Sequence, residues 1–206
     1  MSHRTAKIIS YIFQPLFMPL LTVLLAFGMD PLLSATYPLE VRWGLYAVIA
    51  LNTFLVPTAM VIYLKKVQII SSLDVENRKE RFIPFILTLG LYAVTYWLLR
   101  RSDLPRELYA MMFGSIVAMV VAFVITLFWK ISIHMTGIGG VIGTMCALFQ
   151  MHFFLPMGLL SALILLAGAI GTARMVLSVH TLAQVICGSL LGFLTQFTVV
   201  GYLMFW

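Results

Sequence analysis

Charge is what this sequence has least of: Asp, Glu, Lys and Arg together make up 10% of its 206 residues, and only 7 residues are acidic. Soluble domains carry about a quarter of their residues as charges. A water-solvated globular fold is therefore excluded, and the bilayer must be the solvent. Cysteine is scarce too. Cys146 and Cys187 both lie in apolar runs, where a free thiol behaves as a small hydrophobe, so they define no disulfide framework and no compartment. No small-residue cleavage site follows the first apolar run, which is expected to stay in the mature chain. Low-complexity tracts and internal repeats are absent as well.

What is abundant is apolar: 62% of the residues are hydrophobic. A spanning helix takes roughly 20 mostly apolar residues, so the chain has room for six or seven spans and little else. Apolar stretches run from Ile8 to Met29, Val41 to Leu64, Phe82 to Leu99, Leu108 to Trp129, Ile131 to Gln150, Leu155 to Ala173 and His180 to Tyr202. The expectation is an all-α, polytopic membrane bundle of six to seven transmembrane helices, forming one integral domain over residues 1–206.

Counting spans places the polar loop Lys65 to Arg81, the stretch Lys130 to Gly137 and the stretch Arg174 to His180 on one side of the membrane. Basic residues favour that side as cytoplasmic. Without Arg78, Lys79, Arg81, Lys130 and Arg174, which have a chemical reason to be there, the two sides balance, and orientation is left open. Pro15, Pro19 and Pro57 fall inside spans, where freed carbonyls need other partners. Gly137, Gly139, Gly140, Gly143, Gly188 and Gly192 mark close helix packing, read as intramolecular, with a homo-oligomer left open.

The three stretches that share a side hold the groups capable of chemistry. His180, Gln184, Gly188 and Gly192 recur every four residues, one stripe on a helix with its polar pair at the N-terminal end. Ser178 is the expected cap, and the helix N-terminus favours an anion. Arg174 carries a guanidinium fork suited to phosphate oxygens. Ser132, His134 and Thr136 precede Gly137 in the second stretch, and Arg78 and Arg81 stand three apart in the third. No Asp, Glu, His or Cys set with ligand spacing lies on that side, where Asp74, Glu76 and Glu80 share a single loop, so neither a metal nor a cofactor is expected. His152 falls on the opposite side and His3 in the tail, and both are read as structural. Several cations and two histidines on one membrane face make a phosphate or anion site, served by membrane lipids rather than nucleic acid, because the basic residues form no continuous soluble face.

Arg174-Met-Val-Leu-Ser-Val-His180-Thr-Leu-Ala-Gln184-Val185, followed by Gly188 and Gly192, resembles the third signature of the phosphatidic acid phosphatase type 2 superfamily, R-x5-H-x3-D-V. Ile131-Ser-Ile-His134 is similar to its second signature, P-S-G-H, and the basic stretch around Arg78 to Pro84 stands where the first belongs. The resemblance covers Lys65 to Gly192, within a phosphatase-like core of about residues 65–203. It departs from the family at Gln184, where the family has Asp. The resemblance implies a metal-independent lipid phosphate phosphatase, acting on a polyprenyl phosphate or pyrophosphate or on a phosphatidate-type lipid. His180 would be the nucleophile that forms a phosphohistidine, Gln184 its orienting partner and His134 the general acid. Arg174, Ser132, Arg78, Lys79, Arg81 and Lys130 would hold the phosphate. Gln184 also supports an alternative, a weak or inactive relative that binds or moves lipid phosphates. The expected location is the inner (plasma) membrane of a bacterium.

Overall fold

The computed structural model describes residues 1–72, 78–152 and 157–205, with the side chains of Leu32, Arg78, Lys79, Met151, His152, Met204 and Phe205 outside what is described. Every regular element in it is helical. Seven helical stretches among the described residues are long and apolar enough to cross a membrane: His3–Met29, Leu39–Lys66, Phe82–Arg101, Arg106–Phe128, Ile133–Gln150, Met157–Val176 and Leu182–Leu203. The upper of the two expected span counts is therefore the one observed, and the chain is an all-α polytopic bundle. Side chains such as Leu127, Leu165, Leu190 and Leu194 are exposed along the spans, as a surface that faces hydrocarbon requires.

The first span is not continuous. Helix α1 (His3–Ile12) stops before Gln14, whose backbone is extended, as the residue before a proline prefers. A short 3₁₀ turn, Pro15–Phe17, leads into α2 (Met18–Met29), so Pro15 and Pro19 both sit in first turns, where a missing N–H costs nothing. The next elements are α3 (Pro31–Thr36) and α4 (Leu39–Ile49). The second span continues through a π-helical segment, Ala50–Leu55, into α5 (Val56–Lys66). That widened turn lies just before Pro57, whose ring would clash with the carbonyl one turn back. The Asn52 amide and the Thr53 hydroxyl donate to the carbonyls of Val48 and Ile49, at 3.1 and 2.9 Å. The prolines read in the sequence thus end one helix and widen another, the second with local partners for its carbonyls.

The remaining spans are α6 (Phe82–Arg101), α7 (Arg106–Phe128), α8 (Ile133–His152), α9 (Met157–Val176) and α10 (Leu182–Phe205). The most intimate pair is α8 with α10. A β-carbon added at Gly139 or Gly143 would collide with the backbone of Ser189 or Phe193, and one at Gly188 or Gly192 with that of Ser132 or Thr136. The glycines are therefore accounted for inside one chain. Around this pair, α7 packs on α10, α2 on α8 and α1 on α9.

Candidate functional site

Two loops on the same face of the bundle deliver the predicted residues. The last turn of α9 carries Arg174, which is 5% exposed and so nearly sealed from its surroundings. The chain leaves that helix through Ser178, which adopts the left-handed conformation (φ 56°). It re-enters a helix only at Leu182, so His180 sits in the connecting loop, outside the seventh span, and Ser178 does not cap α10 as expected. Thr181 is the cap. The Gln184 N–H donates to the Thr181 hydroxyl at 3.4 Å, and the Thr181 N–H donates to Gln184 Oε1 at 3.1 Å. This reciprocal pair is a capping box, whose sequence signal is Thr181-Leu-Ala-Gln184.

Gln184 is thereby fixed in place and does a second job. Its Oε1 lies 3.1 Å from His180 Nδ1. Because the same oxygen accepts the Thr181 N–H, the atom facing the imidazole is an acceptor, and Nδ1 must carry the proton. The lone pair is left on Nε2. Burial lowers the pKa of His180 to about 4, helped by the cations Arg174, Lys130 and Arg81 and opposed by the hydrogen bond to Gln184. The ring is neutral at pH 7.

His134 lies in the first turn of α8, with Nε2 3.3 Å from the carbonyl oxygen of Ser10 in α1. The first span, which lies outside the region of family resemblance, is thus part of the site. Arg81 closes the short 3₁₀ turn Arg78–Arg81 and is 9% exposed. The loop before it is tied back by Glu80, which accepts from the backbone N–H and the hydroxyl of Ser71 at 2.6 and 2.8 Å.

His134, His180, Arg174 and Arg81 all line one cavity of about 460 Å³, within the usual range for small-molecule sites. Its far end is reached at Tyr92, Ser115 and Gln196. There the Gln196 amide donates to the Met111 carbonyl at 3.0 Å and to the Ser115 hydroxyl at 2.8 Å, joining α10 to α7. Twelve residues separate Gln184 from Gln196, so at 1.5 Å per residue the cavity descends about 18 Å along α10. A cationic end with two imidazoles opens into a slot walled by Leu16, Met18, Phe85, Met119, Val141 and their neighbours.

The predicted phosphate ligands do not all reach the cavity. Ser132 is fully buried in the crossing of α8 and α10, its N–H 3.4 Å from the Gln184 carbonyl and its hydroxyl without a partner among the described residues. It supports Gln184 from behind rather than facing the cavity. Lys130 is half-buried in the loop before α8 and acts on His180 through its charge, without lining the cavity. Arg78 begins the 3₁₀ turn and Lys79 follows it, but their side chains lie outside the described residues, as do Asp74 and Glu76. Among the described residues, no three His, Cys, Asp or Glu side chains gather as metal ligands would.

Reading the sequence missed Gln196, although it continues the His180, Gln184, Gly188, Gly192 series by one further step of four. It also missed Ser10, Tyr11 and Gln14, which line the cavity because the first span breaks beside it. No family model, curated protein or solved structure matches this chain, so the site rests on its own geometry and on the motifs around Arg174 and His180.

Proposed function

We propose that this protein is a membrane hydrolase that removes phosphate from a lipid by way of a phosphohistidine on His180. One observation carries the reading: two histidines and two arginines from separated parts of the chain end on one cavity, whose walls within the spans are mainly apolar. An amphiphile with a phosphate head and a hydrocarbon tail has that distribution of chemistry.

In this mechanism His180 Nε2, freed by the Nδ1–H bond to Gln184, attacks phosphorus, while Arg174 and Arg81 neutralise the phosphoryl oxygens. The P–O bond to the lipid breaks, and the leaving oxygen takes a proton from His134. Water then attacks the phosphohistidine, giving its proton to His134 and releasing inorganic phosphate. The step needs His134 as the imidazolium, whose Nε2–H stays on the Ser10 carbonyl while the Nδ1–H goes to the leaving oxygen, and the proton taken from water later restores it. The similarity of Arg174 to Gly192 to the phosphatidic acid phosphatase type 2 signature supports the same assignment of roles.

A second reading, a binder or carrier of lipid phosphates, draws on Gln184. An amide holds the tautomer but supplies no negative charge to an imidazolium or a phosphohistidine. Phosphate release from a panel of lipid phosphates, by native and His180→Ala proteins at matched purity, separates the two. The hydrolase reading expects a slow native rate that His180→Ala abolishes. Equal rates in the two proteins would leave the binder as the better account.

A further inference from the structure

The cavity reaches the flank of the bundle as well as its polar face. Tyr11 in α1 and Ile62 in α5 both line it, yet they are 61% and 54% exposed. A side chain can be both only where the cavity meets the outer surface. The packing explains the opening. Helix α1 lies against α9, and α5 lies against α6 and the π-helical segment, so among the described residues α1 and α5 are held mainly by different neighbours. Lower down the same two spans are closed. The 3₁₀ turn Pro15–Phe17 touches the π-helical segment, and the rings of Phe17 and Phe54 meet edge-to-face with centroids 5.9 Å apart. The first and second spans therefore form a wedge-shaped gap, shut near mid-span and open toward the end that holds His134 and Arg81.

We propose that this gap is a side entrance through which the hydrocarbon chain of a membrane-resident phosphate ester passes between the bilayer and the cavity. The occupant follows from the surroundings. Ile62 stands one turn inside the Lys65–Lys66 end of its helix, so the phase outside the gap at that depth is lipid. Both rims are apolar or amphipathic side chains, Tyr11 and Ile62, and the cavity they open into ends at Arg81, Arg174 and His180. A ligand in the outer part of the bilayer can thus slide its chain in sideways while its head moves along the membrane face, and no polar group has to cross hydrocarbon. A closed bundle would instead require the whole lipid to be drawn out into water. The 3₁₀ turn after Gln14 and the π-helical segment put irregular backbone at the closed apex of the wedge, where a change at a few residues can widen it. The chemistry at the cationic end is taken from the proposed function. The entrance itself rests on exposure and packing.

The test has two parts, one of which needs no turnover. A hexadecylphosphonate with a mid-chain diazirine is photolysed with the purified protein in lipid nanodiscs, and adducts are mapped by mass spectrometry. Adducts on the segments that hold Tyr11 and Ile62, suppressed by excess unlabelled hexadecylphosphonate, are expected. Labelling near Leu165, which is 74% exposed and off the cavity, should be insensitive to the competitor. The second part uses Tyr11→Cys with Ile62→Cys, in a background of Cys146→Ala and Cys187→Ala, bridged by bifunctional maleimides of graded length. Bridging should lower the ratio of long-chain to short-chain, water-soluble phosphate ester turnover at least tenfold, because only the long chain needs the side route. Uncompetable labelling at Tyr11 and Ile62, or a ratio unchanged by bridging, overturns the entrance. Competable labelling there without turnover of any ester keeps the entrance and removes the hydrolase.

Discussion

In the proposed mechanism Gln184 is the residue on which the chemistry turns, since one oxygen accepts the Thr181 N–H in the capping box and holds His180. Replacing it with Leu removes both contacts. The lost return bond of the capping box should cost about 0.5–1.5 kcal/mol of stability, visible as a lower melting temperature in detergent, and the freed imidazole should lower kcat/KM at least tenfold. Gln184→Glu keeps the reach and adds charge, so it should leave activity equal or higher. It should also move the ionisation of His180 upward from about 4, because a carboxylate favours imidazolium. The sign follows from the role: a nucleophile must be unprotonated, so kcat/KM falls as pH drops through the pKa of the free enzyme. The native acid limb is expected near pH 4 rather than near 6.5, and a limb at 6.5 in the pH profile would mean that another group controls it. Turnover should also survive EDTA, and a loss restored by a divalent cation would remove the histidine mechanism. The sequence announced His180, Arg174 and His134 by residue type and spacing. It concealed that Ser132 would turn into the helix crossing, because only the close approach of α8 and α10 decides which way that side chain points.

The pair α8 and α10 positions both histidines, and its closeness depends on residues without side chains. Gly192 meets the Thr136 backbone, so Gly192→Ala places a methyl group where rigid main chain already stands. The helices must move apart, with a cost of about 1–3 kcal/mol typical of overpacking and a displacement of His134 relative to Gln184. Thermal unfolding should show the loss, and activity should fall more than stability alone explains. Gly168, which has open space where a β-carbon would go, is the control, and Gly168→Ala is expected to be neutral or mildly stabilising. An equal loss of stability in both variants would mean that the crossing is not what the glycines serve. Helix positions were legible from apolar run length, and most ends agree within a few residues. The break at Gln14 and the π-helical segment were legible only as prolines in awkward places. Whether a proline bends, stops or widens a helix depends on which neighbours take the nearby carbonyls: that of Ser10 meets His134, 124 positions away, whereas those of Val48 and Ile49 are met by Asn52 and Thr53.

The described loop residues 67–72, 78–81, 129–132 and 177–181 lie on one face, which makes a statement about the whole molecule that labelling can check. Single cysteines at the exposed positions Ser71 and Ser178 should react alike with an impermeant maleimide in sealed membranes, and one at Ser102 should react only from the other side, all in a background without Cys146 and Cys187. Reaction of all three from the same side would break the seven-span topology and with it the site. The contact between Ser10 and His134 carries a consequence of another kind, in time. The two residues are 124 positions apart in the chain. At about 5–20 residues per second of synthesis, the broken first span spends on the order of 10 s in the bilayer before its partners α8 and α9 exist. Its irregular backbone at Gln14 has to be sheltered during that interval by the insertion machinery or by lipid headgroups. The nascent chain is therefore most vulnerable to proteolysis at that break until α8 and α9 have been made.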